Sequence, residues 1–462
     1  VLRFGTDGLR GAAGTELTPE LALSLGRAAA RVLGGPTFLV GRDTRESGPM
    51  LEAAFSAGVA AEGVDVEVLG VLPTPGVAWH AARDGVPAAM ISASHNPYGD
   101  NGIKLFAAGG TKLSDAVEAR IEAAMAEGAT TPPAVLAADD GPNGPSSAAR
   151  TGGGGAGSVV GLVRRRVFLA DEPYQAFLTR SIDGRGLDGL RVVIDCANGA
   201  ASAVAPAVLE ALGAQVTVLA AEPDGRNIND GCGSTHPQAL QAKVRELQAD
   251  CGLAFDGDAD RVLAVDEKGR LVDGDHLIAM CATDLAGRGL LRDDAVVVTV
   301  MSNLGFRQAM AKAGIRVVET GVGDRYVLEA LDAEHLSLGG EQSGHVIFRD
   351  LATTGDGVLT GLQVLDLLQR TGRTLADLSD AAMTSLPQLL RNVRVRERGL
   401  DVRAAIAEEL AAVNAELGDE GRVLIRPSGT EPLVRVMVEA PTAEQAEAYV
   451  SRLVAAVERA VG

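Results

Sequence analysis

From about residue 9 to residue 369, short apolar runs alternate with longer segments whose apolar residues recur at helical spacing. Phe38-Leu39-Val40, Ala88-Ala89-Met90-Ile91, Val192-Val193-Ile194 and Gly252-Leu253-Ala254-Phe255 read as short buried strands. The segment after Thr18-Pro19 reads as a helix. Thr18 stands at the N-cap and Pro19 at the first helical position; Leu21, Leu25, Ala28, Ala29 and Val32 form one stripe, and Gly34-Gly35 end it. Alternation of this kind constrains the fold to layered α/β units, because each element needs a partner layer to bury its apolar side. With 462 residues the chain exceeds a single core.

Composition then marks the borders. Residues 128 to 158 collapse into Gly, Ala, Ser, Thr and Pro, with Thr151-Gly152-Gly153-Gly154-Gly155 as the extreme. The expected units are 1–155, 156–272 and 273–372, three similar mixed-sheet α/β domains, and 373–462, a smaller C-terminal α+β domain. The triplet Arg164-Arg165-Arg166 reads as solvated surface. A net charge of −19 and only 3% aromatic residues argue against nucleic acid and acidic membranes. Any phosphorylated ligand then needs a locally basic cleft. The four cysteines are scattered, without metal or redox spacing, as in a reducing compartment. No apolar run approaches a membrane span, and the N-terminus shows no signal-peptide pattern. A cytoplasmic protein is expected.

Four stretches carry candidate chemistry. Ser92-Ala93-Ser94-His95-Asn96-Pro97 ends an apolar strand, where a serine nucleophile could sit but an ordinary turn is the better reading of these residues alone. Asp256-Gly257-Asp258-Ala259-Asp260-Arg261 places three carboxylates in five residues, which repel one another without a cation. The loop imitates half of a calcium-binding EF-hand. However, Arg261 stands where that loop needs glycine, and its flanks read as strands, so a Mg²⁺ site is expected. Gly339-Gly340-Glu341-Gln342-Ser343-Gly344-His345 offers groups suited to sugar hydroxyls, or a polar turn. Arg426-Pro427-Ser428-Gly429-Thr430-Glu431-Pro432, with Arg435 beyond it, offers hydroxyls, backbone N–H groups and two guanidiniums to a phosphate. His80, His236, His276 and His335 read as packing or helix-start residues, and Gly323-Asp324-Arg325 as ligand contact or cap.

In this order and at this spacing the four stretches resemble the α-D-phosphohexomutase superfamily, over nearly the whole chain. Phe4-Gly5-Thr6-Asp7-Gly8-Leu9-Arg10-Gly11, the stretch from Asn229 through Cys232-Gly233-Ser234-Thr235-His236-Pro237, and Gln342 resemble its bacterial branch acting on glucosamine phosphates. The glycine-rich stretch before Arg164 matches no motif of that family.

The resemblance implies four domains around a central cleft. It implies Ser94 as the residue carrying a phosphoryl group, with Ser92 as a second hydroxyl nearby. One Mg²⁺ per chain would bind Asp256, Asp258, Asp260 and an oxygen on phosphorylated Ser94. Glu341 and Ser343 would hold the sugar; Arg426, Ser428, Gly429, Thr430 and Arg435 would hold the non-reacting phosphate. Arg10, Lys104, His95, His345 and Arg261 would surround the reacting oxygens, with Lys104 the expected general acid/base through a lowered pKa. The implied reaction interconverts glucosamine 6-phosphate and glucosamine 1-phosphate. It runs through a hexosamine 1,6-bisphosphate, which also serves as activator, and feeds UDP-N-acetylglucosamine and cell-wall synthesis. The implied assembly is a monomer or homodimer. A phosphoglucomutase or phosphomannomutase specificity, or a non-catalytic phosphosugar-binding protein of the same fold, remain as alternatives.

Overall fold

The computed structural model describes residues 4–5, 7–127, 160–395, 401–427 and 433–461. Four sheets follow one another along the chain. The first contains β1 (Leu9–Ala12), β2 (Thr37–Arg42), β3 (Asp65–Val71), β4 (Ala88–Ile91), β5 (Asp100–Phe106) and β6 (Val163–Arg165), in the order β1-β5-β4-β2-β3-β6. Its central strands are parallel, and β5 and β1 run antiparallel at one side. Alternate residues of β2 enter different cores: Phe38 and Val40 pack under helices Pro19–Leu33 and Gly48–Ala61, Leu39 on the opposite face. Burial on both faces explains why these strands read as continuous apolar runs. Thr18 caps the first helix as expected, its Oγ1 accepting the Leu21 N–H at 3.3 Å. The two helices cross closely at glycines: a Cβ on Gly26 would lie 2.2 Å from Phe55 O, and one on Gly58 2.1 Å from Leu23 O.

The second sheet contains β7 (Arg191–Asp195), β8 (Gln215–Leu219), β9 (Cys251–Phe255), β10 (Val262–Asp266) and β11 (Leu271–Val272), ordered β11-β10-β9-β7-β8. The third has β12 (Ala295–Thr299), β13 (Arg316–Thr320), β14 (Leu338–Gly340) and β15 (Val346–Phe348), ordered β13-β12-β14-β15. Both mix parallel and antiparallel pairs. Helix Gly357–Thr371 buries residues around most of its circumference, and the first three units share one continuous apolar core. The fourth sheet, antiparallel β16 (Gln388–Arg394), β18 (Leu433–Glu439) and β17 (Arg422–Pro427), has a separate core under helices Ala407–Leu417 and Ala443–Val461. It docks on the loop after β12. Arg422 pairs with buried Glu439 at 2.6 Å and donates to Val300 O and Ser302 O, and Asn303 Nδ2 donates to Leu386 O.

Two segments cross the borders expected from composition. β6 pairs with β3 and so completes the first sheet, although residues 163–165 were assigned to the second unit. Its neighbour Arg166 is not simply solvated, since it bonds Glu67 and Asp84 at 2.9 Å each. Helix Leu375–Ala382, expected in the fourth unit, buries Leu375 and Leu378 in the core shared by the first three. Local composition is silent on both, because partner strands and facing helices are distant in sequence. Among the described residues, no helix is long and apolar enough to cross a membrane.

Candidate active site

β4 and β2 are parallel neighbours, so the turns that follow them lie side by side. Ser92, just past β4, is fully buried; its Oγ donates to Asp43 Oδ2 at 2.7 Å and accepts the Ser94 N–H at 2.9 Å. Ser94 has φ +53°, a left-handed conformation that residues with a Cβ seldom adopt. Its Oγ leaves the loop in the other direction, donating to Asp256 Oδ2 at 2.5 Å and lying 3.3 Å from His95 Nδ1. The two hydroxyls thus have different surroundings: Ser92 faces the first unit's interior and Ser94 faces the second unit's acidic loop.

That loop joins β9 to β10 and buries Asp256, Asp258 and Asp260. One oxygen from each lies within 4.8 Å of the others, the one such group found among the described residues. Asp258 Oδ2 accepts from Thr74 Oγ1 at 2.6 Å and from Lys104 Nζ at 2.7 Å, and Asp260 Oδ2 accepts from Lys104 Nζ at 3.1 Å. Asp258 Oδ1 and Asp260 Oδ1 are buried with no hydrogen-bond donor. Orphaned carboxylate oxygens converging from one loop suit a hard divalent cation. Burial pushes Asp256 well above the usual carboxylate range, and the charges of Asp260 and Asp258 add to this. Burial acts on Asp260 in the same sense, but Lys104, His345 and Arg261 together outweigh it, and Asp260 is held well below that range.

Lys104 does not behave as expected. Burial alone would lower its pKa, but the carboxylates of Asp258, Asp260 and Asp7 outweigh burial and raise it above the ordinary lysine range. Expecting a base depended on cationic neighbours, and the fold supplies anionic ones. His95 is the neutral group here: burial, then Arg261 and Arg10, lower its pKa to about 4. Arg10, on β1, bonds Asp7 Oδ2 at 2.8 Å. Arg261 is kept charged by Asp260 and Asp256 against the effect of burial.

The sugar-type loop, between β14 and β15, is attached directly behind the acidic loop. Val262 N donates to Gly344 O at 3.1 Å, and Gly274 N to Gln342 O at 3.0 Å. Glu341 Oε1 accepts the Gly323 N–H at 3.2 Å, and Ser343 is exposed. His345 is buried, with Nε2 accepting the Gly355 N–H at 3.0 Å and Nδ1 3.9 Å from Asp260 Oδ2. Arg426 and Arg435 are direct cross-strand partners on β17 and β18. Ser428, Gly429 and Thr430 lie outside the described residues.

Several residues at the site had no role in the sequence reading. Lys112 bridges Asp7 of the first unit, at 2.6 Å, and Asp324 of the third. Asn229 Nδ2 bonds Ser94 O at 2.9 Å and Asn96 O at 3.1 Å. Arg45 and Asp43 lie beneath the serine loop. A polar cluster just after an apolar strand, Asp43-Thr44-Arg45, was the available signal, but only the β2–β4 pairing directs it toward Ser94.

Four family models match in order. They are the phosphoglucomutase/phosphomannomutase alpha/beta/alpha domains I (residues 1–131), II (172–269) and III (273–386) and the C-terminal domain (390–456). The phosphoglucosamine mutase of Frankia casuarinae is 53% identical, with 99% of this chain and 98% of that protein covered. That of Rhodococcus jostii is also 53% identical, over 97% and 98%. The chain belongs to the phosphoglucosamine mutase family. Among solved structures, a phosphoglucomutase/phosphomannomutase family protein from Burkholderia thailandensis shares the fold at TM-score 0.78 and 24% identity, covering 98% of this chain and 97% of that one. Aspergillus fumigatus N-acetylphosphoglucosamine mutase, in complex with GlcNAc-6P and magnesium, does so at TM-score 0.65 and 19% identity, covering 100% and 96%. Membership of this family agrees with the order of the four loops along the chain.

Proposed function

We propose that the chain interconverts glucosamine 6-phosphate and glucosamine 1-phosphate, with Ser94 as the phosphoryl carrier. The observation that carries this reading is the placement of Ser94 Oγ 2.5 Å from Asp256, facing the three-carboxylate loop, in a phosphoglucosamine mutase family member. In the first half-reaction the Oγ–P bond of phosphorylated Ser94 breaks. The phosphoryl group passes to the free hydroxyl of glucosamine 6-phosphate, giving the 1,6-bisphosphate. In the second, Ser94 Oγ takes the 6-phosphoryl group back, and glucosamine 1-phosphate remains.

Asp256, Asp258, Asp260 and an oxygen of phosphorylated Ser94 would hold Mg²⁺. The ion would supply positive charge against the negative charge of the transferring group. The chain's own residues do the rest. Lys104 stays protonated, keeps Asp258 and Asp260 in place and adds positive charge at the acidic loop. Arg10 and Arg261 add two guanidiniums around the reacting oxygens. His95, 3.3 Å from Ser94 Oγ, relays the proton that the attacking hydroxyl loses to the oxygen that departs, so each half-reaction keeps its proton count. Glu341 and Ser343 orient the sugar, and Arg426, Ser428, Gly429, Thr430 and Arg435 hold the phosphate that is not reacting. Exchanging the two phosphates of the bisphosphate between these positions accounts for both directions of the reaction. We place the enzyme in the cytoplasm, where sugar phosphates are made.

The test is a comparison of glucosamine, glucose and mannose 6-phosphates with Mg²⁺ and a hexose 1,6-bisphosphate, with mass spectrometry of the serine peptide. The expected result is a clear preference for glucosamine 6-phosphate and phosphate on Ser94. Preference for glucose or mannose would sink the assignment.

A further inference from the structure

We infer that Arg45, held by Asp43, positions the reacting serine, and that Ser92 completes that hold. The inference rests on the reading that Ser94 carries the phosphoryl group.

Arg45 is a long charged side chain with no solvent exposure. Burying a guanidinium is unfavourable unless it is paired and fully hydrogen-bonded. Its carboxylate partner is Asp43, with Nε 2.9 Å from Oδ2. Its remaining donors go to main-chain oxygens of one loop. Nη2 donates to Ser94 O and Asn96 O at 2.9 Å each. Nη1 donates to Asp100 O at 2.9 Å and to Pro97 O. Carbonyls along residues 94–100 therefore converge on one cation, and the loop is curled around it.

The consequence for Ser94 is geometric. Its left-handed conformation persists only where the surroundings hold both adjoining peptide groups. On the carbonyl side they are held by Arg45 and by Asn229 Nδ2, at 2.9 Å each. On the amide side the Ser94 N–H donates to Ser92 Oγ, which itself donates to Asp43 Oδ2. Both paths end on the Asp43–Arg45 pair, so the hydrogen bonds close a ring through Ser94. With both peptide planes fixed, the direction of the Cα–Cβ bond is set, and from it Oγ reaches Asp256 Oδ2. A Cβ on Gly257 would lie 2.6 Å from Ser94 O, so the acidic loop meets this carbonyl closely. The consequence is also electrostatic. Carbonyl oxygens beside a phosphoryl dianion would repel it, and Arg45 gathers these oxygens on its own side of the loop.

The hydrogen bonds found for Asp43, Arg45 and Ser92 run to one another and to the serine loop, so their effect passes through Ser94. A positioning role therefore predicts a fall in kcat without a matching rise in KM. The full-length chain is assayed with glucosamine 6-phosphate, Mg²⁺ and a hexose 1,6-bisphosphate, beside circular dichroism and mass spectrometry of the serine peptide. Arg45→Lys keeps the charge and loses the two-armed geometry. Its expected kcat is about a hundredfold lower, the size of effect a displaced reacting group produces. Ser92→Ala removes one link of the ring, and its kcat is expected about tenfold lower, the order of one lost hydrogen bond. KM stays within about twofold in both, on the same reasoning. If Arg45→Lys fails to fold, Ser92→Ala decides. The inference is overturned if kcat in the folded variants stays within about twofold of the parent, or if KM rises in step with the loss. Phosphate found on a residue other than Ser94 in the parent chain overturns instead the reading on which it rests.

Discussion

Lys104 Nζ lies 2.7 Å from Asp258 Oδ2 and 3.1 Å from Asp260 Oδ2, so a buried lysine partly neutralises two of the site's three carboxylates. Lys104→Met leaves both carboxylates buried without that cation. Breaking a buried pair from one side costs about 3 kcal/mol or more. The variant should unfold earlier than the parent in chelator, and added Mg²⁺ should raise its melting temperature more than the parent's. Equal melting temperatures in chelator would show that the pair contributes nothing to the fold.

Ser94→Ala should abolish turnover and leave the melting temperature nearly unchanged, because the hydroxyl faces the site and not the core. Retained turnover would transfer the carrier role to Ser92.

Asp258→Asn removes one charge from the acidic cluster while keeping its shape. The Mg²⁺ concentration for half-maximal activity should rise by at least about tenfold, since metal affinity at such sites follows ligand charge. An unchanged metal titration contradicts the proposed ligand.

Arg426 and Arg435 stand opposite each other, and burial together with Arg435 lowers the pKa of Arg426. Like charges placed directly opposite are unfavourable until an anion lies between them. Arg426→Ala should therefore raise KM for the sugar phosphate by about ten- to a hundredfold, the range for a lost charged hydrogen bond. Its thermal stability without substrate should not fall. A normal KM would exclude this sheet from phosphate binding.

Asp275 is buried beneath the junction of the third and fourth units, where Asn303 N donates to it at 2.8 Å. Burial raises its pKa from 3.8 to about 7, and Asp273 adds to the shift. Its folded pKa lies above its unfolded one, so its contribution is fully present below about pH 4 and is lost as pH rises through about 7. Asp275→Asn should melt higher than the parent at pH 8 and no higher at pH 4. A pH-independent difference would exclude this titration.

Strand–helix alternation, the Thr18 cap, the cluster of three aspartates and the order of the four motif-bearing stretches were legible because each is a local pattern. Local pattern also carried the family, since the loops keep their order and spacing along the chain. What failed depended on neighbours distant in sequence. β6 and helix Leu375–Ala382 took places that composition did not mark. Lys104 is expected to be a base only if its neighbours are cationic; Asp258 and Asp260, which keep it protonated, lie about 150 residues further along the chain, on another unit. Arg45 is not legible for the same reason, because only the parallel pairing of β2 with β4 brings it beneath Ser94. The sequence by itself determined which groups the chain carries and which elements present them. Tertiary structure decided which hydroxyl faces the acidic loop, which cation stays charged and which buried side chains hold the reacting serine, since charge state and orientation depend on what is near in space.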